Sequence, residues 1–182
     1  MKKMSAAEML FAGFGGQGIM FMGKLLAQAG LLAGKHVTWM PSYGAEVRGG
    51  TAYSMTKISD KEIANPVVTN PDILVAMNKP SLMKYSDRLK PHGLLVSNST
   101  LDGAAKKKGV TLLNLPLTEI ASKLGNTKCA NMIAVGAILK RSNLLPMKYV
   151  IAALKEMLSG KEDLLAINRK ALEEGYRRVN KG

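Results

Sequence analysis

The hexapeptide Gly13-Phe14-Gly15-Gly16-Gln17-Gly18 lies between a short apolar run, Glu8-Met9-Leu10-Phe11-Ala12, and a helical pattern that starts near Gln17. That order is a strand, a tight turn and a helix N-terminus. Glycines let the backbone take positive φ and let a ligand or a second chain approach closely. The free N–H groups of a helix start favour an anion, commonly phosphate. A turn that only packs helix on strand would use the same glycines, so the segment alone leaves both readings open.

As a bare pattern the turn matches the dinucleotide fingerprint G-x-G-x-x-G. That fingerprint also needs an acidic residue at the end of the second strand, about twenty residues on, to hold a ribose hydroxyl. Here the second strand reads His36-Val37-Thr38-Trp39-Met40 and runs into Pro41, and the next carboxylate is Glu46. A nicotinamide cofactor is therefore disfavoured. A free-standing dinucleotide-binding protein stands only as an alternative. The next segment, Pro41-Ser42-Tyr43-Gly44-Ala45-Glu46-Val47-Arg48-Gly49-Gly50, combines backbone freedom with hydrogen-bonding, charged and stacking side chains. A polar loop of that kind on a rigid scaffold is where function tends to sit.

These two segments, with Asn70-Pro71-Asp72-Ile73-Leu74-Val75-Ala76-Met77-Asn78 and Asn131-Met132-Ile133-Ala134-Val135-Gly136-Ala137, resemble the gamma subunit of 2-oxoacid:ferredoxin oxidoreductases over about residues 8 to 145, in the family's order. The resemblance implies a subunit that is not catalytic by itself. It would cover the active-site region of a complex that converts a 2-oxoacid and coenzyme A to acyl-coenzyme A, carbon dioxide and reduced ferredoxin. The short length and the PSYGAEVRGG loop lean towards 2-oxoglutarate; indolepyruvate oxidoreductase subunits share the motifs and are the nearest alternative. Alpha-, beta- and delta-type subunits are the implied partners, and ferredoxin the acceptor. Thiamine diphosphate, magnesium and iron–sulfur clusters would belong to those partners.

On this reading Gly13, Gly15, Gly16, Gln17, Gly18, Ser42, Tyr43, Arg48 and Gly49 form the candidate cofactor contacts, with coenzyme A the group they would touch. Backbone N–H groups at Gly15 to Gly18 suit phosphate oxygens, Gln17 suits a carbonyl or amide, and Arg48 suits a phosphate or carboxylate held bidentately. Glu46 fits a purely anionic site poorly and is placed at the interface with Asn131, although Asn131 reads first as the cap of its helix. No catalytic or metal-ligating residue is expected.

Composition narrows the classes. With 182 residues, 47% of them apolar and 21% charged, the chain reads as one gamma-subunit domain, residues 1–182, with a sizeable core. One cysteine, Cys129, is too few for a disulfide framework or an iron–sulfur centre. It opens an apolar helix and reads as packed rather than reactive. Lys and Arg outnumber Asp and Glu 26 to 13, which favours polyanionic or acidic partners. The charge gathers only modestly, at Lys106 to Lys108 and at Arg169, Lys170, Arg177 and Arg178, so nucleic acid is not the expected partner. Neither a secretory leader nor a run of about twenty apolar residues is visible, and a cytoplasmic, membrane-free protein is the expectation.

Alternating strands and helices predict a three-layer α/β/α fold with a mixed, mostly parallel, Rossmann-like sheet and a helical C-terminal end. Strands are expected at His36 to Met40, Thr51 to Ile58, Asp72 to Met77, Gly93 to Ser97 and Val110 to Leu113, with a hairpin turning at Ser59-Asp60-Lys61-Glu62. Helices are expected after Pro80 and from Leu117 onward, closing with Met147 to Leu158 and Glu162 to Val179. Most of the twelve methionines are expected in the core.

Overall fold

The structure is a computed structural model that describes residues 5–42, 52–102 and 107–179. Strand β1 (Ala6–Gly13) enters the glycine turn, α1 (Ile19–Leu32) follows, and β2 (His36–Pro41) runs parallel to β1. Helix α1 starts at Ile19, not Gln17, because Gly18 at its N-cap takes φ 72 in the left-handed region. Strand β3 (Ala52–Ser59) returns antiparallel and inserts between β2 and β1, pairing Gly13 with Ala52 and Pro41 with Ser54. Strands β4 (Ile73–Ala76), β5 (Leu94–Asn98) and β6 (Thr111–Leu115) add in parallel on the other side of β1, giving the order β2-β3-β1-β4-β5-β6.

The mixed sheet agrees with expectation, but the hairpin lies elsewhere. It joins β2 to β3 across residues 43–51, and the polar turn at Ser59 to Glu62 instead opens a long connection to β4. That connection is pinned at intervals. Lys35 pairs with Asp60, Val68 is buried, and Arg88 donates to the carbonyls of Val68 at 2.7 Å and Thr69 at 2.8 Å. Of the lysine-rich run, Lys107 and Lys108 are described and lie outside any helix, and Lys107 pairs with Asp87 at 3.0 Å.

Side chains alternate across the sheet as a pleat requires. Met9, Phe11, Ile73, Val75 and Val96 face one layer, while Leu10, Leu74 and Leu95 face the other, where α2 (Lys79–Tyr85) contributes Tyr85. The first layer is much the thicker, built from α1, α4 (Leu117–Lys123), α5 (Ala130–Ser142), α6 (Met147–Met157) and α7 (Glu162–Arg177). Between β5 and β6 lies the short α3 (Ser99–Asp102). Helix α5 is buried on every side from Ala130 to Leu139, which explains its apolar run without a polar face. Met9, Met22, Met77 and Met132 lie in the core, whereas Met40 and Met83 are exposed. In α7, Leu164 is exposed, and the buried face uses Ala171, Leu172 and Gly175.

Helices α5 and α7 touch backbone to backbone. A Cβ on Gly136 would stand 2.0 Å from the Leu172 carbonyl oxygen, and one on Gly175 would stand 2.0 Å from that of Ile133. Neither obstacle is a flexible side chain, so Gly175→Ala should force the helices apart and cost about 2–4 kcal/mol. Urea unfolding with the midpoint lowered and the slope unchanged is the expected result.

At the amino edge of the sheet Glu8 accepts from Lys57 at 2.7 Å and meets Lys90 at 3.2 Å, and Lys90 also binds Asp72 at 2.9 Å. Burial pushes the Glu8 carboxyl up, but Lys57 and Lys90 outweigh it and hold the group below its ordinary value. Burial likewise pulls Lys90 down, and Asp72 and Glu8 outweigh it and raise it. The depressed Glu8 therefore stabilises the fold above the ordinary carboxylate pKa and loses that contribution as pH falls through its own folded value. The raised Lys90 holds its contribution through neutrality and loses it as pH rises through its folded value. Wild type should exceed Glu8→Gln by about 1 kcal/mol at pH 7, and the difference should vanish in urea titrations carried well into acid.

Candidate functional site

The chain leaves β1 towards β2 on one side and leaves β4 towards β5 on the other. Adjacent parallel strands whose connections diverge open a crevice at their carboxyl ends, where ligands of α/β sheets bind. The glycine turn sits at that switch point.

Its conformation is set by two left-handed glycines, Gly16 at φ 87 and Gly18 at φ 72, with Gln17 N–H donating to the Phe14 carbonyl at 3.2 Å. Gly13 is required for space: a Cβ there would lie 2.6 Å from Gln17 Oε1 and 2.6 Å from Ile19 Cδ1. At Gly18 a Cβ would stand 2.1 Å from Asn131 Nδ2. Helix α1 has no side-chain cap and no acidic residue in its first turn, so its start carries the positive end of the helix dipole without a neutralising carboxylate.

Gln17 turns inward. Its Oε1 accepts from Phe14 N at 2.7 Å and Asn78 Nδ2 at 3.1 Å, while its Nε2 donates to the Met77 carbonyl at 3.2 Å. Asn78 also caps α2, its Oδ1 accepting from Ser81 N at 2.9 Å. At the end of β5, Asn98 donates to the same Met77 carbonyl at 3.4 Å and to Thr118 Oγ1 at 2.9 Å. Asn131 is not the cap of its helix. Cys129 holds that position, and Asn131 lies inside α5, 5% exposed, donating to the Gly18 carbonyl at 3.4 Å. Its Nδ2 thus reaches the glycine turn, while its Oδ1 accepts from Met132 N at 2.8 Å in the first turn of its own helix.

Two concavities flank the turn. One, about 360 Å³, is largely apolar and is lined by Phe14, Gly15, Gly16, Gly18, Ile19, Met20, Phe21, Ser42 and Ala52. The other, about 210 Å³, is more polar, with Gln17, Thr118, Thr127 and Lys128 among its walls. Ser42 closes the hairpin stem through its N–H to the Tyr53 carbonyl at 3.0 Å, and Ser42 and Ala52, the residues flanking the 43–51 segment, lie on the rim of the apolar concavity. Tyr43, Glu46, Arg48 and Gly49 lie outside the described residues. Cys129 is buried, burial pushes its thiol up, and its Sγ lies 2.8 Å from the Asn126 carbonyl; it is packed, as expected. Among the described residues no group of three or more His, Cys, Asp or Glu could hold a metal.

Asn78, Asn98, Thr118 and Lys128 were missed in the sequence. The signal for the two asparagines was modest, a carboxamide directly after an apolar strand. Lys128 and Thr118 carry no local signal, because only the fold brings them beside Gln17.

The family model for pyruvate ferredoxin/flavodoxin oxidoreductase matches residues 8–178. Ketoisovalerate oxidoreductase subunit VorA of Methanothermobacter thermautotrophicus is 38% identical over 169 residues, 90% of this chain but 34% of that protein. The chain thus spans about a third of the VorA proteins it matches. 2-Oxoglutarate synthase subunit KorC of the same organism is 33% identical over 183 residues, covering 93% of this chain and 97% of KorC. The crystal structure of a keto/oxoacid ferredoxin oxidoreductase gamma subunit from Geobacter sulfurreducens superposes with a TM-score of 0.82 at 28% identity, over 94% of this chain and 96% of that one.

The two left-handed glycines should respond differently to alanine. Gly16 has open space at its Cβ position, so Gly16→Ala should cost only the left-handed penalty, about 1–2 kcal/mol. Gly18→Ala adds the collision with Asn131 and should cost about 3 kcal/mol or more. Thermal unfolding of the two variants side by side measures the gap.

Proposed function

From residue 8 to residue 178 this chain belongs to the pyruvate ferredoxin/flavodoxin oxidoreductase family, and on that footing we propose that it is the gamma-type subunit of a 2-oxoacid:ferredoxin oxidoreductase. The complex would oxidatively decarboxylate a 2-oxoacid with coenzyme A, giving acyl-coenzyme A, carbon dioxide and reduced ferredoxin. Names among the relatives include 2-oxoglutarate, ketoisovalerate and pyruvate; 2-oxoglutarate is the substrate we favour. Thiamine diphosphate with magnesium would supply the decarboxylation chemistry from a partner subunit, and iron–sulfur clusters in partners would carry the electrons. One buried cysteine fits that division of labour.

The observation that carries the proposal is the uncapped start of α1 at the strand switch point, with the stem of the 43–51 loop on the same rim. Of the backbone N–H groups at Gly15 to Gly18, those of Gly15, Gly16 and Gly18 would receive the phosphate end of coenzyme A, since that of Gln17 is spent on the Phe14 carbonyl. Lys128 adds charge on the polar side, and Arg48 would pair with phosphate or with a carboxylate of a neighbouring subunit. Glu46 and Asn131 remain the interface assignments, Asn131 with little surface to offer. A subunit of an indolepyruvate oxidoreductase is the second reading. A free-standing dinucleotide-binding protein is less favoured. Strand β3 separates β2 from β1, and the end of β2 carries no carboxylate.

The chain alone should reduce neither dye nor ferredoxin with 2-oxoglutarate and coenzyme A, and addition of its thiamine-bearing and cluster-bearing partners should restore the reaction. In that complex Arg48→Ala should leave the melting temperature nearly unchanged and raise the apparent KM for coenzyme A roughly tenfold, the effect of losing one charge-assisted hydrogen bond. Activity of the isolated chain would refute the subunit assignment. An Arg48→Ala complex identical to wild type in both measurements would refute the role of the loop.

A further inference from the structure

We infer that Gln17 is a positioning residue, not a ligand contact: its carboxamide latches the glycine turn to the end of β4 and so presets the backbone N–H groups that would receive an anion. The inference deepens the function proposed above, since it rests on that reading for the identity of the anion.

Three of the four hydrogen-bonding positions of the carboxamide are already filled from inside the chain. Both acceptor positions of Oε1 face donors, Phe14 N at 2.7 Å and Asn78 Nδ2 at 3.1 Å, and one Nε2 hydrogen goes to the Met77 carbonyl at 3.2 Å. The residue lies between two left-handed glycines, which is the most flexible backbone the genetic code offers. Left alone, such a turn would sample many states, and a ligand would have to order it at the cost of affinity. The latch removes that cost beforehand.

Its anchor is itself fixed. Asn78 is 2% exposed, and its Oδ1 caps α2 through Ser81 N at 2.9 Å. Met77 is 1% exposed, and its carbonyl also receives Asn98. The turn is thereby tied to three elements, β4, α2 and β5, without any charge. Neutral amides hold the turn while leaving the positive end of α1 unneutralised for the ligand, which a carboxylate in the same place would not. The space under Gly13 serves the same end, because a Cβ there would displace Gln17 Oε1.

The test uses Gln17→Met, similar in length and without the amide, and Asn78→Ala. Amide hydrogen exchange is read on the full chain, and the apparent KM for coenzyme A and kcat are read on the reconstituted complex. Exchange at Phe14 and Gln17, the turn amides that are hydrogen-bonded within the latch, should quicken roughly tenfold in either variant, on the scale of one or two lost hydrogen bonds, while α5 exchanges as in wild type. The KM for coenzyme A should rise by a similar factor with kcat unchanged. The double variant should fall short of the sum of the two, because both break one latch. Exchange at the turn equal to wild type, or faster exchange with an unchanged KM, would overturn the inference. A raised KM with unchanged exchange would also overturn it, since that is the signature of direct contact. If the wild-type complex shows no dependence on coenzyme A, the proposed function fails while the exchange measurement still decides whether the latch exists.

Discussion

The close crossing of α5 and α7 is the contact around which the rest of the molecule is arranged. Gly136 and Gly175 let two helix backbones meet with no side chain between them, and α5 lies buried from Ala130 to Leu139. An apolar helix enclosed in this way cannot shift without opening the core. Its first turn carries Asn131, so the stiffness of the packing is delivered to the carbonyl of Gly18 and to the start of α1. The glycine turn is thus tied from beneath to α5, whose Ala130 also lines the polar concavity.

Electrostatics divides the sheet in two. The amino edge holds Glu8, Asp72, Lys57 and Lys90 in a self-satisfied cluster, with each lysine facing a carboxylate. The carboxyl edge holds asparagine and glutamine amides around an uncapped helix start, with Lys128 close by. Charge compensation at one end gives rigidity. At the other end, the first turn of α1 holds no acidic residue to offset the helix dipole. The same chain therefore stabilises one edge with ions and prepares the other with dipoles.

The α/β alternation was legible because glycines, apolar runs and prolines mark element ends locally. Pro80 in the first turn of α2 and the unbroken apolar stretch of α5 are cases where local pattern and tertiary environment agree. The hairpin at Ser59 to Glu62 misled because polar turn residues signal a change of direction without naming the strand that follows. The hairpin partner of β3 lay upstream, across residues 43–51. The glycines of the site were legible as a turn, yet the distinction between touching a ligand and holding the turn was not. Gln17 and Asn131 differ from a ligand contact only through Met77, Asn78 and Gly18, which lie far from them in sequence and close to them in space.

Strand β3 has one more consequence. Its antiparallel ladder pairs Gly13 with Ala52, the last residue of the strand that enters the glycine turn with the first described residue after the long loop. Gly13 and Ala52, far apart in the chain, are thus held as neighbours by the β1–β3 ladder. A displacement at either is carried to the other by the backbone itself, whatever side chains happen to line the crevice.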